Sequence, residues 1–280
     1  MSNNKLRIAI ISDKDKVWAL PLWDSVIPKL KKADYEIRGF WVCPGRLGKH
    51  TNGAILRWYL RNFGVFDVAI LGILATIRRA MALLARQQGR GAFQFTDLSS
   101  RHNLHLHQIS NPNNSEFQRW MQREKIDLLV IMVSHILNAE TLAIPRLGTI
   151  NKHAALLPSY KGIFPYIWAT IDGADQGVSF HEVVQEIDAG RVLFQECMRA
   201  NKSDSMIGFY DKVMSNYGSN LLIAISRMRE GITAEIELSK LLPSYKGLPS
   251  PKDMQSFRSK GGKIIRFADL FHHLRMPLYR

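Results

Sequence analysis

The sequence predicts an α/β fold on a mostly parallel sheet. Three observations carry that expectation: short apolar runs of strand length, polar turns directly after them, and intervening stretches with helical spacing. Leu6, Ile8, Ala9, Ile10 and Ile11 form the first run, which stops at Ser12 and Asp13 as a strand buried on both faces does at its turn. Over residues 18–32, Trp18, Leu22, Val26, Ile27 and Leu30 recur at helical spacing, and basic residues close the stretch, where they complement the negative end of the helix dipole. Residues 37–42 supply a second strand. A third unit pairs a helix over 116–125 with an apolar strand over 127–133 that ends at Ser134 and His135. Strand–helix–strand units of this kind connect parallel neighbours across a face, so helices cover both sides of the sheet.

Between the second and third units, residues 46–101 read as an insertion that is both apolar and basic. Asp67 is the only formal charge over 62–77, with Arg61 before it and Arg78 and Arg79 after it. Sixteen residues fall short of the roughly 20 a membrane-spanning helix needs, and Gly64 and Gly72 interrupt them. One or two helices with a broad apolar face are expected, packed on the core, resting on anionic lipid or meeting a second copy. After residue 200 the alternation stops. Met206, Phe209, Val213, Tyr217, Leu221 and Ile225 predict a helix over 205–230, and a hairpin is expected around Gly261 and Gly262, leading into 263–267. The heptapeptide Leu-Leu-Pro-Ser-Tyr-Lys-Gly occurs at 156–162 and again at 241–247, and with nothing else matching around it the duplication reads as coincidence. The division expected is a main domain over 1–235, carrying the insertion, and a small C-terminal extension over 236–280.

Composition narrows the function classes. With 280 residues, 46% of them apolar and 22% charged, the chain can bury a large core without staples, and disordered, collagen-like and repeat-array readings are excluded. Cys43 and Cys197 stand far apart with no ligand spacing around them, which predicts neither a disulfide framework nor a zinc motif and fits a reducing cytoplasm. The start of the chain lacks the long apolar segment of a secretory signal. The 38 basic and 24 acidic side chains leave +14, a field that favours anionic ligands. His102, His105 and His107 cluster, but no neighbouring Asp, Glu or Cys completes a metal site, so no metal is expected.

The chemistry concentrates in Gly148-Thr-Ile-Asn151-Lys-His153-Ala-Ala-Leu-Leu-Pro158-Ser-Tyr-Lys-Gly162. Asn151 and His153 lie two apart at the end of a predicted strand and therefore share a face. A carboxamide donor beside an imidazole is what acyl transfer needs, one group for a developing oxyanion and the other for the protons of an amine. Asp188, 35 residues beyond His153 on a second turn, is placed to orient or charge the imidazole, whereas His181, on an alternating apolar stretch, reads as structural.

These elements, with Trp168-Ala-x-x-x-Gly173, Gly177-Val-Ser-Phe-His181 and Asp188-x-Gly190 following in order, resemble the folate-dependent formyltransferase family, which includes glycinamide ribonucleotide, methionyl-tRNA and amino-sugar formyltransferases. The resemblance is strong over 115–200 and weaker over the first 45 residues. Ala155 departs from the serine many members carry there. It implies a Rossmann-like sheet with a helical insertion and small tail, 10-formyltetrahydrofolate as donor and a primary amine as acceptor. Carried over by position, Asn151 donates to the formyl oxygen, His153 stabilises the oxyanion or shuttles the amine proton, and Asp188 holds His153. Ser134, His135, Ile136 and Leu137, with Val184, Gln185, Glu186 and Ile187, match the positions whose backbone grips the pterin.

The expected acceptor is a nucleotide-linked amino sugar for surface polysaccharide (lipopolysaccharide) synthesis, since about 45 residues after the main domain are short of the barrel the transfer-RNA enzyme adds. The positive field suits such an anion. Methionyl-tRNA is the alternative acceptor, and a non-catalytic folate- or membrane-binding homologue the further alternative. Ser12, Asp13 and Trp18, at the edge of the first strand, and Tyr160 and Lys161, after Pro158, are the expected acceptor contacts. Nucleic acid is not an expected partner. A cytoplasmic protein is expected, and the apolar insertion raises two partners, the inner face of a membrane and a second copy of the chain.

Overall fold

The computed structural model describes residues 5–51, 53–198, 204–234 and 242–275. Five parallel strands form most of one sheet: β1 (Arg7–Asp13), β2 (Glu36–Cys43), β3 (Leu106–Gln108), β4 (Leu128–Met132) and β5 (Gly148–His153). Two more, β7 (Gln176–Glu182) and β8 (Val192–Met198), complete it antiparallel, in the order β3-β2-β1-β4-β5-β7-β8. The order reverses direction between β1 and β4. At such a switch point the loops leaving the strand ends part and open a crevice.

Alternation along β1 sorts the core into two layers. Ile8 and Ile10 face one layer with α1 (Ala19–Lys32) and the later helices α8 (Met206–Ser215) and α9 (Tyr217–Glu230). Ala9 and Ile11 face the other, with Trp41 and with Phe117 and Trp120 of α5 (Ser115–Arg123). Trp23 is fully buried and meets Phe40 and Tyr217 edge-on at 5.7 Å, joining α1, β2 and α9. Each such pair adds about 0.5–1.5 kcal/mol beyond its buried area.

The insertion forms three helices, α2 (Gly53–Asn62), α3 (Val65–Gln87) and α4 (Phe95–His102). Gly64, at φ +90°, separates α2 from α3, but Gly72 leaves α3 unbroken, so α3 reaches 23 residues. Only Ile70, Leu74 and Ala82 of α3 are buried. Arg78 fastens it to Asp211 of α8 at 2.8 Å, both side chains well shielded.

Two further expectations are corrected. The helix expected over 205–230 is two helices that meet at Asn216. No hairpin forms at Gly261: α10 (Pro251–Ser259) ends there in a turn, and the carbonyls of Lys263 and Ile264 accept the N–H groups of Met206 and Ile207, capping α8. Ile264 and Ile265 are buried, which draws this segment onto the core instead of into a ladder. Met254, Phe257 and Leu270, from α10 and α11 (Phe267–Arg275), share the main core, so the C-terminal extension packs as part of it.

The duplicated heptapeptide is not a coincidence in space. β6 (Lys161–Gly162) pairs in parallel with β9 (Tyr245–Lys246), one residue out of the repeat's own phase, with Lys161 opposite Tyr245. Tyr160 N–H donates to Ser244 Oγ at 2.8 Å and Ser159 Oγ–H to the Leu242 carbonyl at 2.9 Å. Gly162 is required: its φ is +104°, and a Cβ would sit 2.2 Å from the Lys246 carbonyl oxygen. Gly162→Ala is expected to destabilise the fold by about 2–3 kcal/mol through backbone strain and lost close packing. A fall in thermal midpoint checks this; an unchanged midpoint means the two strands do not approach so closely.

Candidate active site

The site is built on β5, β7 and the loop beyond β7. Asn151 and His153 lie on one face of β5, and the antiparallel register places His181 opposite Asn151 and Ser179 opposite His153. Residues paired directly across antiparallel strands point to the same side, so all four share that face. The loop then brings Asp188 back over it. Gly190 lets the loop close, since a Cβ there would lie 2.0 Å from the Glu182 carbonyl oxygen, and Asp188 itself takes a left-handed φ of +49°, which aspartate tolerates better than most residues.

Two imidazoles converge on that one carboxylate. His153 Nδ1 is 3.4 Å from Asp188 Oδ2, and His181 Nε2 is 3.5 Å from Oδ1. Gly162 N–H donates to Oδ2 at 2.9 Å, tying the carboxylate to β6. Burial alone raises an acid, but the two histidines and the Gly162 N–H outweigh it and hold Asp188 down at about 2.

Each ring spends its other nitrogen on a backbone carbonyl, His153 Nε2–H on Tyr160 O at 2.8 Å and His181 Nδ1–H on Glu182 O at 2.8 Å. The nitrogen left as base therefore faces Asp188 in both. Burial lowers the His153 pKa, against the pull of Asp188 and Tyr160 O, so the ring rests neutral at pH 7 while both of its N–H positions already have acceptors for the protonated form. That arrangement takes up a proton with little reorganisation. The half-buried Lys152 is pushed down to about 8 by burial, against Asp188.

The structure sets Asp188 against His153 and puts Asn151 on the same face of β5, one side-chain position before His153. His181 corrects the expectation, being a partner of Asp188 as well as a packed residue. Its position on the strand that leads into the Asp188 loop was the available signal.

The first expected donor-binding loop follows the C-terminal end of the parallel β4, and the second follows β7, which runs antiparallel to β5. Ile136 is 65% exposed and Val184 41% exposed, while Leu137 and Val183 anchor the two loops in one core layer. Ser134 is held from both sides, its N–H on Asp13 Oδ2 at 3.1 Å and its Oγ accepting Arg46 N–H at 2.6 Å. Gln185 and Glu186 are exposed, and Glu186 with Ile187 lines a cavity of about 360 Å³ together with Lys161 and Tyr245.

The expected acceptor contacts divide. Tyr160, Ser159, Asp172, Asp175 and Lys246 line a second cavity of about 470 Å³. Lys161 reaches Glu186 at 3.4 Å across the first. Ser12 is wholly buried with its hydroxyl on the Asp13 carbonyl, and the guanidinium of Arg78 covers the Trp18 ring at 3.7 Å, so neither presents the open face expected of a ligand contact. The insertion causes the second difference by laying α3 over the start of α1.

Asp13, Cys43 and His135 gather at the switch point with potential ligand atoms within 4.8 Å of one another, a grouping unforeseen in the sequence. Burial and Asp13 push the Cys43 thiol up to about 12, so it stays protonated there. Of the expected histidine cluster, His102 bonds Asp24 at 2.6 Å and His107 stacks on Trp41 at 4.2 Å.

Burial raises Asp13 to about 6 despite its bonds to Ser134. A raised folded-state value means its favourable contribution is complete below about 4, is lost as pH rises through 6, and leaves a buried charge at pH 8. Asp13→Asn is expected to stabilise the protein by about 2 kcal/mol at pH 8 and to have no such effect at pH 4. Thermal unfolding of both forms at the two pH values tests this, and a variant no more stable at pH 8 contradicts it.

Residues 79–225 match the family described as formyl transferase. A methionyl-tRNA formyltransferase of Bacteroides fragilis is 30% identical over 152 residues, covering 54% of this chain and 47% of that protein. The chain spans about half the length of the curated relatives it matches. Among solved structures, a sugar N-formyltransferase from Shewanella sp FDAARGOS_354 is similar with a TM-score of 0.55 at 16% identity, over 91% of this chain and 87% of that one. Glycinamide ribonucleotide transformylase 1 from Symbiobacterium toebii gives 0.56 at 12% identity, over 84% and 93%. The sheet described above is the fold they share with this chain.

Proposed function

Because the chain belongs to the formyl transferase family, we propose that it moves a formyl group from 10-formyltetrahydrofolate to the primary amine of an amino sugar, nucleotide-linked and destined for surface polysaccharide. The observation that carries the reading is the convergence of His153 and His181 on Asp188, on the face that also carries Asn151. The amine nitrogen attacks the formyl carbon, and the carbonyl electron pair moves onto oxygen. As that pair returns, the bond from carbon to the folate nitrogen breaks. One proton leaves the amine and one arrives on the folate nitrogen. The Asn151 carboxamide donates to the oxygen while it is negative. The His153–Asp188 pair receives the amine's proton, the imidazolium keeping Tyr160 O as an acceptor and gaining Asp188, and can return a proton to the leaving nitrogen.

Residues 134–137 and 184–187 would hold the pterin in this reading. The acceptor reading is supported by the cavity of about 470 Å³ beside Tyr160, in the range of small-molecule sites, and by a net charge of +14 that draws phosphorylated compounds. The buried Cys43 thiol suits a reducing cytoplasm. Methionyl-tRNA is the second acceptor reading, favoured by the curated relatives. Incubating the chain with 10-formyltetrahydrofolate and a panel of amino-sugar nucleotides beside methionyl-tRNA tests both. A mass gain of one formyl group on a sugar nucleotide is the expected result; formylation of the transfer RNA alone replaces the acceptor, and no transfer to any amine overturns the activity.

A further inference from the structure

Helix α3 is long and apolar enough to cross a membrane, yet it lies along the protein and leaves most of itself uncovered. Ile70, Leu74 and Ala82 fix its inner side, and the Arg78–Asp211 pair holds it down. Phe66, Ala69, Ile73, Ala80 and Leu84 are exposed at helical spacing along a single outer stripe, Phe66 at 69% and Leu84 at 57%. Thr76, the polar residue within that stripe, turns its hydroxyl back onto the Gly72 carbonyl at 2.9 Å, so it presents no unpaired donor. The helices packed beside α3 add to the surface, α2 with exposed Leu56 and Leu60 and α11 with exposed Phe267 and Phe271, each pair one helical turn apart. A water-facing helix with this side is unusual, and an apolar patch of such extent marks an interaction surface.

Charge decides what covers it. Residues 46–101 hold nine Lys and Arg against two acidic residues, +7 of the chain's +14 in a fifth of its length. Arg57 and Arg61 lie exposed on α2 and Arg90 lies exposed just beyond α3, with Arg86 paired to Asp97 at 3.0 Å, so cationic groups stand at both ends of the stripe. Asp67, the acidic residue of α3, is already paired with Arg258 at 3.6 Å. A second copy would bring two such basic faces together, which like-charge repulsion opposes. An anionic bilayer satisfies both features, acyl chains meeting the stripe and headgroups meeting the arginines.

We propose that the outer face of α2, α3 and α11 docks the protein on an anionic lipid surface, α3 lying in the interface plane. The inference stands apart from the transfer chemistry. The full chain is tested by co-sedimentation with phosphatidylcholine vesicles, with and without phosphatidylglycerol, at low and high salt. Binding to the anionic vesicles at least about tenfold tighter than to neutral ones, and weaker at high salt, is expected. Phe66→Ser/Ile73→Ser/Leu84→Ser should lower that affinity at least about tenfold with an unchanged circular-dichroism melt. If that variant does not fold, Arg57→Gln/Arg61→Gln carries the test by losing most of the preference for anionic vesicles. Vesicle binding untouched by either variant overturns the proposal. So does a wild-type protein that ignores vesicles, whether monomeric or a dimer that the triple variant dissociates.

Discussion

Replacing His153 by alanine is expected to slow formyl transfer by about two to four orders of magnitude, the span general acid–base groups contribute. The side chain is almost wholly buried, and its two nitrogens face Tyr160 O and Asp188. His181 stands opposite Asn151 on β7, away from the position of His153 on β5, so it does not stand in for the lost ring. Donor binding should persist, since the residues assigned to the pterin lie on other loops. Turnover within a few-fold of wild type, with the fold intact by circular dichroism, would remove His153 from the mechanism.

Asp188→Ala is expected to have a comparable effect on rate and a larger one on stability. Alanine removes the carboxylate that His153 and His181 both face and that accepts the Gly162 N–H, and leaves two buried rings without their common partner. Losing one side of a buried charged network costs about 3–5 kcal/mol. Acid should reproduce part of this in the wild type. With Asp188 held at about 2 in the folded chain, its contribution is complete above the unfolded value near 4 and is lost as pH falls through 2, about 2 kcal/mol in all. Thermal unfolding of wild type and variant between pH 7 and pH 2 measures it. A stability difference that does not shrink toward pH 2 contradicts the assignment.

Much of the frame was legible because apolar runs and helical spacing report burial directly. β1, α1, β2, α5 and β4 lie within one or two residues of the stretches that predicted them. Asn151, His153 and Asp188 were legible as a spaced motif. His181 was not, since its alternating strand satisfies a core reading equally well and only the β5–β7 register sets it opposite Asn151. The pairing of the two heptapeptides was hidden for a similar reason: seven shared residues say nothing about contact until the chain between them folds. The burial of Ser12 and the Arg78 guanidinium over Trp18 depend on packing and on the helix of the insertion, which position at a strand edge does not report. The hairpin expected at Gly261 failed because buried Ile264 and Ile265 supply apolar anchoring with no strand pairing among the described residues, and their segment caps α8 instead.

The central claim is that Asn151 and His153 act on the same carbonyl carbon. A double-mutant cycle on the rate of formyl transfer tests it most directly, using Asn151→Ala, His153→Ala and the combined variant. Groups that stabilise one transition state as a unit are strongly non-additive. Each single change is expected to cost about 10² or more, and the double variant no more than a few-fold beyond the worse single one. Losses that multiply in the double variant would place the two side chains in separate roles and contradict the account.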